Sequence, residues 1–246
     1  MFSYIDSAKN SALDLAFPPS CLGCEIQLPS LSGVERIPLC SECLAEISPY
    51  EPPFCPRCGC GLPEHQLVCA SCFGAKYRFD GAVALGSYEG LLRQVVLRMK
   101  DRAGEAAALN MARIMWQYCR DRLETLGLDV VVPVPMFWWK QLSRGVNSPQ
   151  LLAEVLGSEL GVPTACGLLR RRRNTLPQSG LLPTQRLRNL QGALAITAGY
   201  ALQAAHVLLV DDVMTTGATC NEASKVLKAA GAEQVTVAVL ARSPGT

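Results

Sequence analysis

Val207-Leu208-Leu209-Val210-Asp211-Asp212-Val213-Met214-Thr215-Thr216-Gly217-Ala218-Thr219 is the stretch whose reading decides the fold. Four aliphatic residues, His206 to Val210 with its entry residue, predict a strand buried on both faces. Two acids then fall where that strand leaves the sheet, the place at which open α/β folds put their ligands. Thr215, Thr216, Gly217, Ala218 and Thr219 form a turn of small residues that opens a helix over 218–230. Backbone N–H groups and hydroxyls at such a helix start suit an anion. The carboxylates would repel a phosphate but accept hydrogen bonds from sugar hydroxyls. One short loop thus offers adjacent places for a sugar and a phosphate. A plain strand–turn–helix with threonine capping is the bland alternative. A P-loop is excluded, because no Gly-Lys-Ser/Thr occurs here. Asp211 could serve as a Walker-B-type metal acid, but no Walker A accompanies it.

Outward from this stretch, strands and helices alternate. Val235–Leu240 predicts a last strand after Gly231, so the chain closes on a βαβ unit. Upstream, Phe79–Ser87 reads as a strand, and 91–100 and 106–126 read as helices. Asp129-Val-Val-Val-Pro-Val-Pro135 reads as a buried strand that leaves its ladder through prolines. The loop after it holds Phe137, Trp138, Trp139, Lys140, Arg144, Gly145 and Asn147, and a helix follows from about Gln150 to Leu160. This cationic loop at a strand tip is a second candidate anion site. Leu168–Leu169 and Gly192–Thr197 predict two short strands. Thr175–Arg188 between them is long for a plain connection, as lids often are. His206, at the start of a buried strand, and Cys119, within a helix, are expected to be structural.

Composition narrows the class. A hydrophobic content of 49% supports a packed core, and a net charge of +2 carries no global nucleic-acid or membrane signal. Charge is uneven all the same: no acid occurs between Glu159 and Asp211, whereas Arg170 to Arg173, Arg186 and Arg188 do. Membrane insertion is not expected, since no apolar run approaches the ~18 residues of a spanning helix. Residues 1–17 read as an amphipathic helix ended by Pro18 and Pro19. Asp6 and Asp14 interrupt any signal-peptide core there, so the expected location is cytoplasmic.

Nine of the twelve cysteines lie between Cys21 and Cys72. Eight form CxxC pairs: Cys21/Cys24, Cys40/Cys43, Cys55/Cys58 and Cys69/Cys72. Each pair is a tight knuckle aiming two thiolates at one ion, and two knuckles complete tetrahedral S₄ coordination. With few large apolar residues around them, the ligands need metal to fold. About two structural zinc ions are expected. Disulfides or an iron–sulfur cluster are the alternatives. Spacing leaves open a sequential or an interleaved pairing, and Cys60 reads as a spare thiol. The expected organisation is an N-terminal helix over 1–20, a double zinc ribbon over 21–75, and an α/β domain over 79–246.

The opening stretch resembles the motif with which type I phosphoribosyltransferases bind PRPP (5-phosphoribosyl-1-pyrophosphate). Further pieces narrow the resemblance: Tyr88-x-Gly90-x-x-Arg93 with Lys100, Val132-Pro-Val-Pro135, Arg144-Gly-x-Asn147, Arg173-x-Thr175-x-Pro177-Gln178, and Arg186-x-x-Asn189-x-x-Gly192-Ala193. Together with the Asp-Asp loop they resemble the competence protein F (ComF) family, from Cys21 to Arg242. Departures are Val146 where the family usually has an aromatic, Ser148-Pro149 after the Asn, and Leu194 after Gly-Ala.

The resemblance implies a type I phosphoribosyltransferase fold, a twisted, mostly parallel sheet flanked by helices, behind a small Cys-rich zinc module. Asp211 and Asp212 would bind ribose hydroxyls, and Thr215 to Thr219 would cradle the 5-phosphate. Lys140 and Arg144 would belong to a pyrophosphate loop, and Arg186 to a flexible catalytic loop. Mg²⁺ would accompany PRPP or a related sugar phosphate. The enzyme reading is phosphoribosyl transfer to an unidentified acceptor. The other is a nucleic-acid-binding protein of natural transformation, contacting single-stranded DNA and competence-machinery proteins. For that reading Phe137, Trp138, Trp139 and the Arg170–Arg173 run are the candidate contacts. A homodimer is compatible with either.

Overall fold

The computed structural model describes residues 20–28, 38–66, 69–101, 104–136, 146–173, 185, 189–200 and 202–243. The expected N-terminal helix, the loop carrying Phe137, Trp138, Trp139, Lys140 and Arg144, and most of 175–188 with Arg186 lie outside these residues.

In chain order the elements are α1 (Ser41–Ile47), β1 (Gly81–Ser87), α2 (Gly90–Arg98), α3 (Glu105–Glu124), β2 (Val130–Pro133), α4 (Ser148–Leu160), β3 (Leu169–Arg171), β4 (Leu194–Ile196), β5 (His206–Met214), α5 (Ala218–Ala229) and β6 (Gln234–Arg242). Four strands make an all-parallel sheet in the order β1-β6-β5-β2. β3 and β4 pair antiparallel in a separate two-stranded sheet. The predicted terminal βαβ unit is β5-α5-β6.

Helices cover both faces, so the central strands are apolar on both sides. Val207, Leu208, Leu209 and Val210 are fully buried, and alternate between two cores. Leu208 and Val210 meet Met111, Met115 and Leu152 in the core beneath α2, α3 and α4. Val207 and Leu209 meet Ala223 and Leu227 of α5 in the other. His206 is structural, as expected: its Nε2 lies 2.9 Å from Thr236 Oγ1 and its N–H donates to Asp129. Cys119 is buried in the core.

Both sheet edges are covered. Thr164 bridges to Val131 beside β2, with Val131 N–H donating to Pro163 O. At β1 the Cys-rich segment serves: Tyr50 N–H donates to Leu85 O, and Ala82 N–H reaches Pro56 O. Arg122, with Phe54 3.9 Å from its guanidinium, donates to the carbonyls of Ala82 and Ala84. Edge N–H and C=O groups that could template aggregation are thereby used.

Two boundaries differ from the sequence reading for physical reasons. β5 runs four residues past Val210, because β6 continues to pair with it through Asp211↔Val239, Val213↔Ala241 and Met214↔Arg242. The acids therefore stand inside the end of the strand. α4 begins at Ser148, two residues earlier than expected, since Pro149 fits a first helical turn that needs no N–H from it.

Leu208 is fully buried in the ladder. Leu208→Ala should cost about 2–5 kcal/mol, measured by urea unfolding at fixed zinc.

Candidate functional site

β2 is shorter than β5, and that difference makes the site. Its last ladder bond is Val134 N–H to Val210 O. Beyond it Pro135 takes the chain away, and among the described residues Asp211 to Met214 keep only β6 as a strand neighbour. The vacated edge is where the acids stand.

Asp211 is 9% exposed, and its Oδ1 accepts the Asp212 N–H at 2.9 Å. Burial, then the neighbouring Asp212 charge, push its pKa up to about 8, with Lys100 and Arg171 pulling the other way. Asp212 pairs with Lys100, Oδ2 to Nζ at 3.0 Å. Burial alone would lower the Lys100 ammonium, but the Asp212 carboxylate outweighs it and holds the pKa above the usual lysine value. Lys100 arrives on the chain leaving α2, whose end is tied to α4 by Ser148 Oγ donating to Met99 O. Arg171 of β3 donates from Nε to Pro135 O at 2.7 Å. Burial pulls its pKa down, against the opposing pull of Asp211.

The turn after β5 is built for close approach. Gly217 sits at φ +76, and a Cβ there would meet the Tyr77 ring at 3.0 Å. It caps α5 with no side-chain hydrogen bond. The first-turn N–H groups of a helix have no intrahelical acceptor. Thr216 Oγ1 is buried and, among the described residues, has no hydrogen-bond partner. Such an atom costs stability unless something polar meets it. Beneath the turn, Arg242 is 2% exposed and donates to Met214 O, Thr215 O and Ser243 O from Nη1, and to Ser71 O from Nη2.

Asp211 and Asp212 stand in the end of β5 and Thr215 to Thr219 in the turn and first residues of α5, while Lys140, Arg144 and Arg186 fall outside the described residues. Lys100, Arg171, Arg242 and Tyr77 were not assigned to the site in sequence. For Arg242 a signal existed: a charge closing an otherwise apolar strand. The Arg170–Arg173 run does not form one charged face. β3 turns Arg171 inward, Arg170 and Arg172 are exposed, and Arg173, also exposed, donates to Asn189 O and Gln191 O.

The thiolates form two groups, Cys21/Cys24/Cys40/Cys43 and Cys55/Cys58/Cys69/Cys72. Pairing is therefore sequential. A tetrahedral ion with Zn–S near 2.3 Å sets its sulfurs about 3.8 Å apart. Here Cys21–Cys40 is 3.8 Å, Cys24–Cys40 3.7 Å, Cys55–Cys72 3.7 Å and Cys58–Cys69 3.6 Å. An iron–sulfur cluster, which interposes several atoms, would hold them farther apart. Backbone N–H groups point at sulfur, Cys40 to Cys21 and Cys43 to Cys40, as suits thiolates. Gly59, at φ +74, lets its knuckle lie on β1, where a Cβ would meet Ala82 O at 2.7 Å. Cys60 is buried 3.3 Å from Cys69 and 3.5 Å from Cys58, a fifth thiol beside the second group.

A twin S₄ module joined to a parallel α/β domain with acids at a strand tip defines a class. Residues 12–73 match the family described as double zinc ribbon domain, and residues 142–246 the one described as phosphoribosyl transferase domain. The chain is 32% identical over 209 residues to competence protein F of Haemophilus influenzae, covering 83% of this chain and 90% of that one. It is 29% identical over 228 residues to the DNA utilization protein YhgH of Salmonella typhimurium (89% and 99% covered) and 27% over 195 residues to competence protein ComFC of Bacillus subtilis (77% of each). The chain belongs to the competence protein F family. Among the described residues, no helix is long and apolar enough to cross a membrane.

An acid with a folded pKa above its unfolded value near 4 stabilises the fold while protonated, and that contribution fades as pH rises from about 4 to about 8. Between about pH 6 and about pH 9, the wild type should lose urea stability relative to Asp211→Asn. A stability difference independent of pH would contradict the burial of this carboxyl.

Proposed function

We propose that this protein binds PRPP with Mg²⁺ at the β5–α5 turn and transfers its phosphoribosyl group. The observation that carries the reading is Thr216 Oγ1, buried and unpartnered among the described residues, over a glycine cradle and beside two acids. A phosphate oxygen in the turn would accept from that hydroxyl and from first-turn N–H groups. Asp211 and Asp212 would accept from the ribose hydroxyls. Lys100 now occupies Asp212, so ligand entry would share or release that ion pair.

Transfer replaces the C1–O bond to pyrophosphate by a bond from C1 to the acceptor's nucleophile, through an oxocarbenium-like state. Bound Mg²⁺ supplies neutralisation of the leaving group. The residues' task is positioning and charge stabilisation. The carboxylates orient the ring and favour the positive charge that grows on it. Lys140 and Arg144 before α4, and Arg186 before β4, are assigned to the pyrophosphate and catalytic loops. The assigned division is an N-terminal helix over 1–20, ribbons over 21–75 and a catalytic domain over 79–246.

The names of the relatives favour a second, compatible reading: a role in DNA uptake. Exposed Arg170 and Arg172 and the aromatic loop at 137–139 are the contacts it assigns to single-stranded DNA. Such binding must weaken with salt.

Calorimetric titration with PRPP·Mg²⁺ should show one site per chain. Asp212→Asn should weaken it about tenfold or more, near 1.4 kcal/mol, with zinc content retained. Wild type that binds no PRPP, or equal affinity in the variant, would sink the assignment. Pyrophosphate release across a panel of bases, amines and nucleic acids then finds the acceptor.

A further inference from the structure

We propose that Arg242 is a positioning residue that couples the second thiolate site to the phosphate turn. Its side chain is 2% exposed, and it spends its donors on backbone carbonyls from two parts of the chain. Burying a guanidinium is costly unless its hydrogen bonds are met. Here the two Nη groups are met in a way that shapes the turn, and Nε is left without a partner among the described residues. Nη1 takes Met214 O and Thr215 O. In a trans peptide the C=O and the following N–H point in opposite directions. Drawing those two carbonyls down onto Arg242 therefore turns the N–H groups of Thr215 and Thr216 away from it, toward the cradle side. That is how successive amides become an anion nest. The guanidinium also places a fixed positive charge beneath the turn.

The other end of the fork holds the metal module. Nη2 donates to Ser71 O at 3.1 Å, and Ser71 lies inside the Cys69–Cys72 knuckle. Two further contacts join the chain just after this module to the turn and α5. Tyr77, stacked on Phe79 with centroids 4.4 Å apart, lies against Gly217. Arg78 N–H donates to Asn221 Oδ1 of α5 at 2.6 Å. The first thiolate site has a different anchor. It docks instead on α2, where Arg98 donates to Leu22 O and Gly23 O and pairs with Glu25. Metal at the second site thus holds Ser71, Ser71 holds the Arg242 fork, and the fork orients the turn. Loss of that metal unshapes the turn, while loss of the first does not.

The inference rests on reading the turn as the phosphate site, so its test has one arm that needs no ligand. Full-length wild type, Cys72→Ser, Cys43→Ser, Arg242→Gln and Cys72→Ser/Arg242→Gln are compared for zinc content, for amide hydrogen exchange over 214–219, and for PRPP·Mg²⁺ affinity. Cys72→Ser and Cys43→Ser should each lose one zinc. Exchange over 214–219 should quicken about tenfold in Cys72→Ser and stay near wild type in Cys43→Ser. Arg242→Gln should keep both zinc ions yet show the quickened turn, and the double variant should add little, since coupled residues are not additive. Arg242→Lys, which keeps the charge without the fork, should recover part of any PRPP affinity lost by Arg242→Gln. Equal quickening in the two cysteine variants, or additive effects of Cys72→Ser and Arg242→Gln, overturns the coupling. Exchange that follows the prediction in a protein that binds no PRPP leaves the coupling standing and removes the phosphate reading.

Discussion

A carboxyl group held inside the end of a buried parallel ladder is the constraint on which the rest depends. Asp211 pairs through its backbone with Val239, so its position is fixed by β6. Its side chain is left to whatever stands where β2 has departed. That departure is enforced by proline, which cannot donate to a ladder. Lys100 and Arg171 then enter from outside the strand, one after α2 and one from the small antiparallel sheet. Two acids and two cations meet at the end of a strand whose preceding residues, Val207 to Val210, are fully buried and aliphatic. Low dielectric strengthens each attraction and penalises each unpaired charge, so the balance of charge there is sensitive to any polar ligand.

The Cys-rich segment is more than an appendage. It has little apolar surface of its own, and its backbone groups and Arg122 close the exposed edge of β1. Its two thiolate sites dock on different parts of the α/β domain. The first packs against α2, after which Lys100 follows, and the second against the turn that begins α5. A module with two sets of four thiols placed for metal is in this way packed against the turn at which the candidate site lies.

Much of this was legible in sequence, for identifiable reasons. Val207–Val210 announced a strand because four aliphatic residues in a row fit a sheet buried on both faces. CxxC spacing announced S₄ sites because two cysteines at that spacing aim at one ion. The extent of β5 through Met214 was not legible, since acids inside a strand contradict the hydrophobic pattern, and only pairing with β6 overrides it. Sequential rather than interleaved thiolates could not be read either, because the same spacing serves both. Arg242, Arg171 and the Lys100–Asp212 pair are contacts between residues distant in the chain, set by sheet order. Proline at 149 was legible as a departure from the family pattern but not as the start of a helix.

The central claim is that the turn between β5 and α5 receives the phosphate of a sugar phosphate. The most direct measurement follows the backbone amide resonances of Thr216, Gly217, Ala218 and Thr219 in the zinc-loaded full-length protein during titration with PRPP and Mg²⁺. The account predicts saturable shifts centred on these four amides. PRPP that binds while leaving them unmoved, or that does not bind, would contradict it.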